Sequence, residues 1–214
     1  MPPRGLDVEC SPTSIVKLGG SLLELPDLPL RLSHHLPLWG ERPLIVVGGG
    51  PAANVVRDWD RIHRLGEFAS HDLAVTSLRL TAHLIEQIWP AARRVSWPAL
   101  ASAWHANQVP VADVSTAFQW GHQHFVPLPP EDWTTTTDTI AAWIAWQCGT
   151  EALHLLKSIP APKSLELAAQ GGAVDLELPS RCRDWNLSIR WSNLRAGAPD
   201  DPPIAESISL TDTN

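Results

Sequence analysis

Two glycine-rich turns hold the residues whose types and spacing suggest chemistry. The first lies in residues 14–23, SIVKLGGSLL, and the second in residues 43–52, PLIVVGGGPA. Each is a short apolar run that ends in glycines and is followed by a helix-like stretch. Backbone N–H groups at such strand ends form a concave site for anionic oxygens. The pair of turns therefore predicts that a phosphoryl group passes between two bound molecules.

Lys17 and Ser21 add a compact positive charge and a hydroxyl to the first turn. The alternative is that both are ordinary strand-to-helix turns with no ligand. A P-loop is excluded, because its lysine follows the glycines in a Gly-x-x-x-x-Gly-Lys-Ser/Thr pattern, whereas Lys17 precedes them. A dinucleotide-binding fingerprint is also missing. Neither of these two phosphate-binding motifs therefore describes the first turn.

These motifs resemble those of the amino acid kinase superfamily, whose members open with a strand that ends in Lys-x-Gly-Gly-Ser and carry a second strand that ends in Gly-Gly-Gly. The resemblance covers residues 14 to 160 and is poor in the C-terminal third. It implies a phosphotransferase that uses ATP and Mg²⁺, assembles as a homo-oligomer (a dimer or larger) and acts on a small molecule. Lys17 is then expected to contact the moving phosphate, although a solvated lysine at a strand end is the structural alternative.

Asp138 follows a run of four threonines and stands at the predicted start of a helix. A carboxylate there is stabilised by the helix dipole, so a capping role alone would explain it. Superfamily members carry a Thr/Ser-x-Asp element in this region, and its aspartate orients the active-site lysines. The resemblance therefore implies that Lys17 and Asp138 are catalytic.

Lys157 ends a predicted buried strand. In many relatives that strand leads to an Asp-Val-Asp-Gly-like turn near the nucleotide, whereas this chain reads LLKSIPA over residues 155–161. The acid and the glycine of that turn are absent, and so is a late Gly-Thr pattern. We predict that ATP phosphates are bound by Lys17, Gly19, Gly20, Ser21 and Lys157.

The second turn is predicted to bind the acceptor. His71 is expected at the start of a long helix, a favourable place for an acceptor phosphate, and some superfamily members that phosphorylate a phosphate monoester use a histidine near this region. Arg57 follows the triple glycine and could pair with an anion. Exposed or capping roles are the alternatives for both. The predicted acceptor residues are Gly48, Gly49, Gly50, Arg57 and His71.

The compact length and the motifs together look most like one branch, the (aminomethyl)furan-methyl phosphate kinases of methanofuran synthesis and their bacterial relatives. Such an enzyme would pass the γ-phosphate of ATP to a phosphate monoester and form a diphosphate. Two alternatives stay open. One is a non-catalytic nucleotide-binding, storage or regulatory member of the superfamily, and the other is a kinase that acts on a carboxylate or a nucleoside monophosphate.

Short β-branched runs alternate with helical stretches along the chain. Strands are expected at 14–18, 44–47, 94–95, 109–112, 152–156 and 187–191, and helices at 28–39, 54–65, 70–88, 98–103, 138–148 and 165–169. This alternation predicts an α/β fold, a three-layer αβα sandwich with a mostly parallel central sheet. Ligands of such sheets bind at the carboxyl ends of the strands, where both glycine turns fall.

The 214 residues carry a net charge of −7, which argues against a nucleic-acid or anionic-membrane surface. No apolar run approaches the roughly 20 residues of a membrane helix, so a cytoplasmic protein is expected. The pairs His34-His35 and His122-x-His124 have no cysteine or acid at ligand spacing, and no metal site is predicted. We expect a flexible tail over 1–12, a single domain over 13–196 and a disordered tail over 197–214.

Overall fold

The computed structural model describes residues 11–198 and 201–211. The strands of this part of the chain are β1 Ser14–Leu18, β2 Pro43–Val47, β3 Ala92–Ser96, β4 Val109–Asp113, β5 Ala152–Lys157, β6 Ser188–Asn193 and β7 Glu206–Ile208. Its α-helices are α1 Leu28–His35, α2 Gly50–His63, α3 Glu67–Ile88, α4 Ala101–His105, α5 Val114–Gln123, α6 Thr137–Cys148, α7 Leu165–Gln170 and α8 Leu178–Asp184, and 3₁₀ helices lie at Gly20–Glu24 and Leu36–Trp39.

The strands form one sheet in the order β3-β4-β2-β1-β5-β6-β7. Every pairing within it is parallel except that of β6 with β7. The predicted fold, an α/β sandwich with a mostly parallel sheet, is therefore confirmed. Because β1 and β2 are parallel neighbours, Leu18 pairs with Val47 and the two glycine turns leave the sheet at the same edge.

Two hydrophobic cores cover the two faces of the sheet. One is built from α4, α5, α6, α7, α8 and Val75 and Leu78 of α3, and the other from α1, the 3₁₀ helices and Ala82 and Ile85 of α3. Each core takes alternate residues of the strands, as a pleated sheet requires. Ile15 and Leu155 belong to the first core, whereas Val16 and Leu156 belong to the second. Among the described residues, no helix is long and apolar enough to cross a bilayer.

Three elements differ from the sequence expectation. The helices α5 and α8 lie in segments for which no helix is predicted, and β7 lies inside the segment 197–214 that is expected to be disordered. The disorder prediction is wrong for 206–208, because those residues pair with β6 and a long-range pairing leaves no local sequence signal. The expected tail over 1–12 lies outside the described residues except for 11 and 12.

The start of α3 is also corrected. The sequence predicts that this helix begins at residue 70, but it begins at Glu67, and the Ser70 hydroxyl donates to the Glu67 carbonyl at 3.1 Å. His71, expected at the helix start, therefore lies more than one turn inside it. Its backbone N–H is consequently used within the helix and is not available to an anion.

His154 of β5 is a buried titratable group. Burial, followed by the charge of Arg190, lowers its pKa from 6.5 to about 4. Because the unfolded chain binds this proton more readily than the folded chain, the contribution of His154 to the free energy of unfolding is fully present above about pH 6.5 and is lost as the pH falls towards 4.

We predict that the free energy of unfolding falls by about 2–3 kcal/mol more in the wild type than in His154→Leu when the pH is lowered from 7 to 4.5. Urea unfolding at both pH values measures this, with His63→Leu, an exposed histidine, as control; equal losses in wild type and His154→Leu would contradict it.

Candidate active site

The centre of the site is a buried carboxylate that bridges two lysines. A carboxylate oxygen of Asp138 lies 2.8 Å from the Lys17 Nζ, and the Lys157 Nζ donates to both Asp138 oxygens at 2.9 and 2.8 Å. All three side chains are less than a tenth exposed. Lys17 is thus not the exposed strand-end lysine that its structural alternative assumes. The structure brings together the three residues that the sequence singled out separately.

Strand register explains how the two lysines meet. In the neighbouring strands β1 and β5, Lys17 pairs with Leu155, and Lys157 is the last residue of β5. Alternation places both lysines on the sheet face that α6 covers. Asp138 is the second residue of α6, and the N-cap of this helix is Thr136. The start of α6 thereby places the Asp138 carboxylate beside the ends of both β1 and β5.

The charges of this cluster depend on each other. Burial alone would raise the pKa of the Asp138 carboxyl, but the ammonium groups of Lys157 and Lys17 outweigh it and hold the pKa at about 2. Burial lowers the pKa of Lys157 to about 8, even though the attraction of Asp138 opposes it; repulsion by Lys17 adds to the lowering. Lys17, Lys157 and Asp138 themselves carry two positive charges and one negative charge, and the Asp175 carboxylate adds a smaller attraction that raises the pKa of Lys157. A bound phosphate would bring further negative charge to the two lysines.

Lys157 differs from Lys17 in how its donors are used. Its ammonium has three N–H donors, and these reach the two oxygens of Asp138 and the Ala173 carbonyl at 2.6 Å. Lys157 therefore holds Asp138 in place and has no spare donor in this conformation, so its predicted contact with ATP stays a prediction. Lys17 lines the open cleft beside the cluster.

Asp175 was missed by sequence reasoning, yet it fixes the start of α6. Its carboxylate accepts from the backbone N–H and the hydroxyl of both Thr136 and Thr139 at 2.6–3.1 Å. It also accepts from the Leu178 N–H at 2.9 Å, at the start of α8. An aspartate three residues before a Leu-Pro helix start is a capping signal that could have identified it.

The two glycine turns are packed against each other. A Cβ on Gly20 would lie within 2.5 Å of the Gly50 Cα, and a Cβ on Gly50 would lie 2.6 Å from the Gly20 carbonyl oxygen. Gly50 also has φ +50°, in the left-handed region. The glycines are therefore required for the close approach of two backbones.

The N–H groups of these turns are not equivalent. Those of Gly19 and Gly48 donate to the carbonyls of Leu156 and Leu18 at 2.9 and 2.8 Å, which extends the sheet by one residue. Gly49 and Gly50 are instead the N-cap and first residue of α2, where an N–H has no acceptor within the helix. The N–H groups of Gly19 and Gly48 therefore cannot also donate to a phosphate in this conformation. Among the glycines of the two turns, the predicted N–H contacts to phosphate remain for Gly20, Gly49 and Gly50.

Gly20→Ala should force the two turns apart. We predict a loss of about 1–3 kcal/mol in the free energy of unfolding, as for other overpacked sites, together with loss of anion binding in the cleft. Urea unfolding measures the first effect. Gly171→Ala is the matched control, because a Cβ there would meet only two carbonyl oxygens, at 3.3 and 3.9 Å. A Gly20→Ala variant as stable as this control would show that the turns can separate freely.

A cleft of about 420 Å³ lies between the turns and the helices. Its walls include most of the predicted ligand residues, namely Lys17, Gly20, Ser21, Gly48, Gly49, Gly50, Arg57 and His71. Asp138 and Lys157 lie behind Lys17 and do not line it, and neither does Gly19. Apolar side chains of α3 and α6, among them Val75, Leu78 and Ile140, form another part of the wall. One cavity can thus hold an anion and an apolar group together.

Arg57 is exposed at the cleft, where its guanidinium lies 5.0 Å from the centre of the Trp133 ring. The Asn54 side chain accepts from Arg57 at 2.8 Å, and the Trp133 indole donates to Asp60 at 3.2 Å. Trp133 belongs to the segment between α5 and α6 and was not singled out from the sequence. Arg57 and Trp133 together form a flat, cationic edge of the cleft.

His71 is buried in the cleft wall. Burial lowers its pKa, and the carboxylates of Glu131, Asp132 and Asp72 only partly offset this. The Nδ1 of His71 lies 4.0 Å from one carboxylate oxygen of Glu131, and the other carboxylate oxygen of Glu131 lies 3.2 Å from the His122 Nε2. The Nε2 of His71 has no hydrogen-bond partner within the described residues. Desolvation therefore disfavours the imidazolium form of His71 in the ligand-free protein.

A second group of polar residues lies at the carboxyl ends of β5 and β6. The hydroxyl of Ser21 donates to Ser158 at 3.1 Å, and the Arg195 guanidinium donates to the Ser21 carbonyl at 2.9 Å. Sequence reasoning missed Ser158 and Arg195, since neither stands in a recognisable motif. They flank the first turn on the side away from α2.

The histidine pairs make local contacts. His35 and His124 each face the backbone carbonyl four residues earlier, at 2.9 and 2.8 Å. Across the described residues, no group of three His, Cys, Asp or Glu side chains is placed to hold a metal ion.

No protein-family model and no curated protein matches the chain. Solved structures do resemble it. A uridylate kinase from Archaeoglobus fulgidus gives a TM-score of 0.55 at 17% identity over 82% of this chain and 88% of that chain. UMP kinases from Ureaplasma parvum and Bacillus anthracis give TM-scores of 0.56 and 0.57 at 14% and 11% identity; the alignments cover 85% and 91% of this chain and 89% and 98% of theirs. The chain therefore shares the amino acid kinase fold of these UMP kinases.

Proposed function

We propose that this chain is an ATP-dependent phosphotransferase whose acceptor is a small phosphate monoester. The observation that carries the proposal is the Asp138 carboxylate that bridges Lys17 and Lys157 beside a glycine-lined cleft. Phosphoryl transfer needs charge neutralisation and positioning more than covalent catalysis. A preorganised ammonium held at a fixed point meets both needs.

In this proposal an oxygen of the acceptor phosphate attacks the γ-phosphorus of ATP. The bond from that phosphorus to the β–γ bridging oxygen breaks, ADP leaves, and the product is a diphosphate. Lys17 donates hydrogen bonds to the moving phosphoryl group, and Asp138 fixes its ammonium with the help of Lys157. The role of Asp138 is therefore positional as well as electrostatic.

Two anion sites serve the two substrates. The turn at Gly20 and Ser21 receives the phosphates of ATP, and the start of α2 at Gly49 and Gly50 receives the acceptor phosphate, since N–H groups at the start of a long helix bind anions. Mg²⁺ would enter with the nucleotide, because this ion keeps waters and substrate phosphates as ligands and needs few protein groups. We assign no residue to it.

Two phosphate monoesters are the first acceptors to test. The resemblance of the motifs indicates (aminomethyl)furan-methyl phosphate, and the fold shared with UMP kinases indicates UMP. Incubation of the protein with Mg-ATP and each phosphate monoester, followed by phosphorus NMR, tests the proposal. A new diphosphate signal that grows as ATP is consumed is expected with one of these small monoesters. Hydroxylamine trapping with carboxylate acceptors is the opposing assay: an acyl phosphate would overturn the assignment of the acceptor class.

His71 provides a specific test of the acceptor site. It lines the cleft on the α2 side, so His71→Ala should raise the KM for the acceptor more than the KM for ATP. Because its pKa is lowered, the ratio of the acceptor KM of His71→Ala to that of the wild type should be constant above about pH 7 and should grow only as the pH falls below 6.5. Steady-state kinetics from pH 5.5 to 8.5 measure both effects. Equal changes in the two KM values would identify His71 as a structural residue.

A further inference from the structure

The turn that follows β6 lies at the same edge of the sheet as the two glycine turns. In the parallel pair of β5 and β6, Lys157 is opposite Asn193. The N–H of Leu194, the next residue, donates to the Lys157 carbonyl at 2.9 Å. Residues 193–197, which we call the β6 turn, therefore start beside the last residue of β5. Because ligands of parallel sheets bind at this edge, side chains of the β6 turn are placed to reach them.

The backbone of the β6 turn is held from two sides. The Asn193 side chain accepts from the Arg195 backbone N–H at 3.0 Å. The carbonyls of residues 196–197 accept from the buried guanidinium of Arg31 in α1, both at 3.2 Å. Arg31 is also ion-paired with Asp27 at 2.9 Å, so it serves as an anchor and is not available to a ligand. The backbone that carries Arg195 is thereby preorganised, which reduces the cost of ordering a binding residue.

The side chain of Arg195 extends from this fixed backbone to the first glycine turn. Its guanidinium donates to the Ser21 carbonyl at 2.9 Å, and the Ser21 hydroxyl donates to Ser158 at 3.1 Å. A guanidinium has five N–H donors, and within the described residues this is the one hydrogen bond that the Arg195 side chain makes. Arg195 is exposed. Its remaining donors are therefore free for an anion, and their planar fork matches the geometry of a phosphate.

The two lysines of the site leave much of the charge of ATP to other groups. Lys157 uses its three donors on Asp138 and on the Ala173 carbonyl. Lys17 is buried against Asp138 and lines the cleft, where the transferred phosphoryl group would lie. The other phosphates of ATP are also negatively charged, and binding them at this edge requires a further cation or further N–H donors. Arg195 offers both.

The order of the strands indicates which phosphates Arg195 can reach. In the sheet β1 lies between β2 and β5, and β6 follows β5. The start of α2 comes after β2, whereas Arg195 comes after β6, so the two lie on opposite sides of the first glycine turn. This step rests on the proposed function, in which the acceptor binds at the start of α2 and the γ-phosphate of ATP must face it. We propose that Arg195 binds the α- and β-phosphates of ATP on the other side of that turn.

Calorimetric titration of Mg-ATP into the wild type and two variants tests this proposal. Arg195→Gln keeps an N–H donor but removes the charge, and it should raise the Kd for ATP by about 10-fold or more, since hydrogen bonds between charged groups are the stronger ones. Arg195→Lys keeps the charge without the planar fork and should raise the Kd less. Arg93→Gln is the matched control, because Arg93 is an exposed arginine of β3 at the far end of the sheet. It should bind ATP as the wild type does.

The outcomes separate a phosphate contact from a structural one. Equal losses in Arg195→Gln and Arg195→Lys would identify a contact that only holds the Ser21 carbonyl, and would overturn the proposal. Wild-type affinity in a folded Arg195→Gln variant, checked by circular dichroism, would overturn it as well and would leave the proposed function intact. A wild-type protein that binds no ATP would overturn both. A Kd that rises in the order wild type, Arg195→Lys, Arg195→Gln supports the role of Arg195 as a phosphate ligand.

Discussion

Asp138→Asn should lower the free energy of unfolding by about 3–5 kcal/mol, because it leaves two buried ammonium groups without their shared anion. Asp138 is 4% exposed, and both lysines contact its carboxylate within 2.9 Å. Asparagine keeps the shape of the side chain but removes the charge. Urea unfolding of the wild type and the variant measures the loss directly.

A double variant separates the charge effect from loss of packing. Lys17→Met combined with Asp138→Asn removes one cation together with the anion. The double variant should therefore be more stable than Asp138→Asn alone, which is a coupling that independent sites do not show. A double variant that is less stable than Asp138→Asn would mean that the cluster is not held by this balance of charge.

Lys17→Met should lower the turnover of phosphoryl transfer by about 100-fold or more, the loss expected when a preorganised contact to the transition state is removed. Its free energy of unfolding should stay within about 1 kcal/mol of the wild type, since Asp138 and Lys157 remain as a one-to-one pair. The repulsion between the two lysines, which lowers the pKa of Lys157, is relieved at the same time. ADP release with the acceptor found by phosphorus NMR measures the turnover.

Lys163→Met is the matched control, since Lys163 is the third lysine of the chain and is exposed. It should keep full turnover and stability. A Lys17→Met variant with wild-type turnover would remove Lys17 from the catalytic machinery. One that is as unstable as Asp138→Asn would contradict the charge balance.

The sheet edge and its lysines were predictable because parallel strands obey simple rules. The apolar runs before Gly19 and Gly48 predicted two buried strands, and parallel strands place their carboxyl ends at one edge. Lys157 is the last residue of such a strand and Lys17 the last but one, and Asp138 is the second residue of the helix that covers them. Local sequence thus contained the three residues of the cluster, although the distances between them required the structure.

The rest depended on contacts between distant parts of the chain. Asp175 reaches α6 from 36 residues away along the chain, and the Ala173 carbonyl binds Lys157 over 16 residues. Neither contact has a sequence pattern beyond a single residue. The pKa of His71 is lowered by burial within α3, which a one-residue motif cannot reveal. Strand β7 likewise depends on a partner strand that is supplied by the tertiary fold.

Calorimetric titration with ATP, in the presence and absence of Mg²⁺, tests the central claim most directly, since it does not depend on the acceptor. Our account predicts that one ATP binds per chain, that Mg²⁺ strengthens the binding, and that Lys17→Met weakens it whereas Lys163→Met does not. Absence of ATP binding to the folded wild-type protein at millimolar nucleotide would contradict the assignment of this site to phosphoryl transfer.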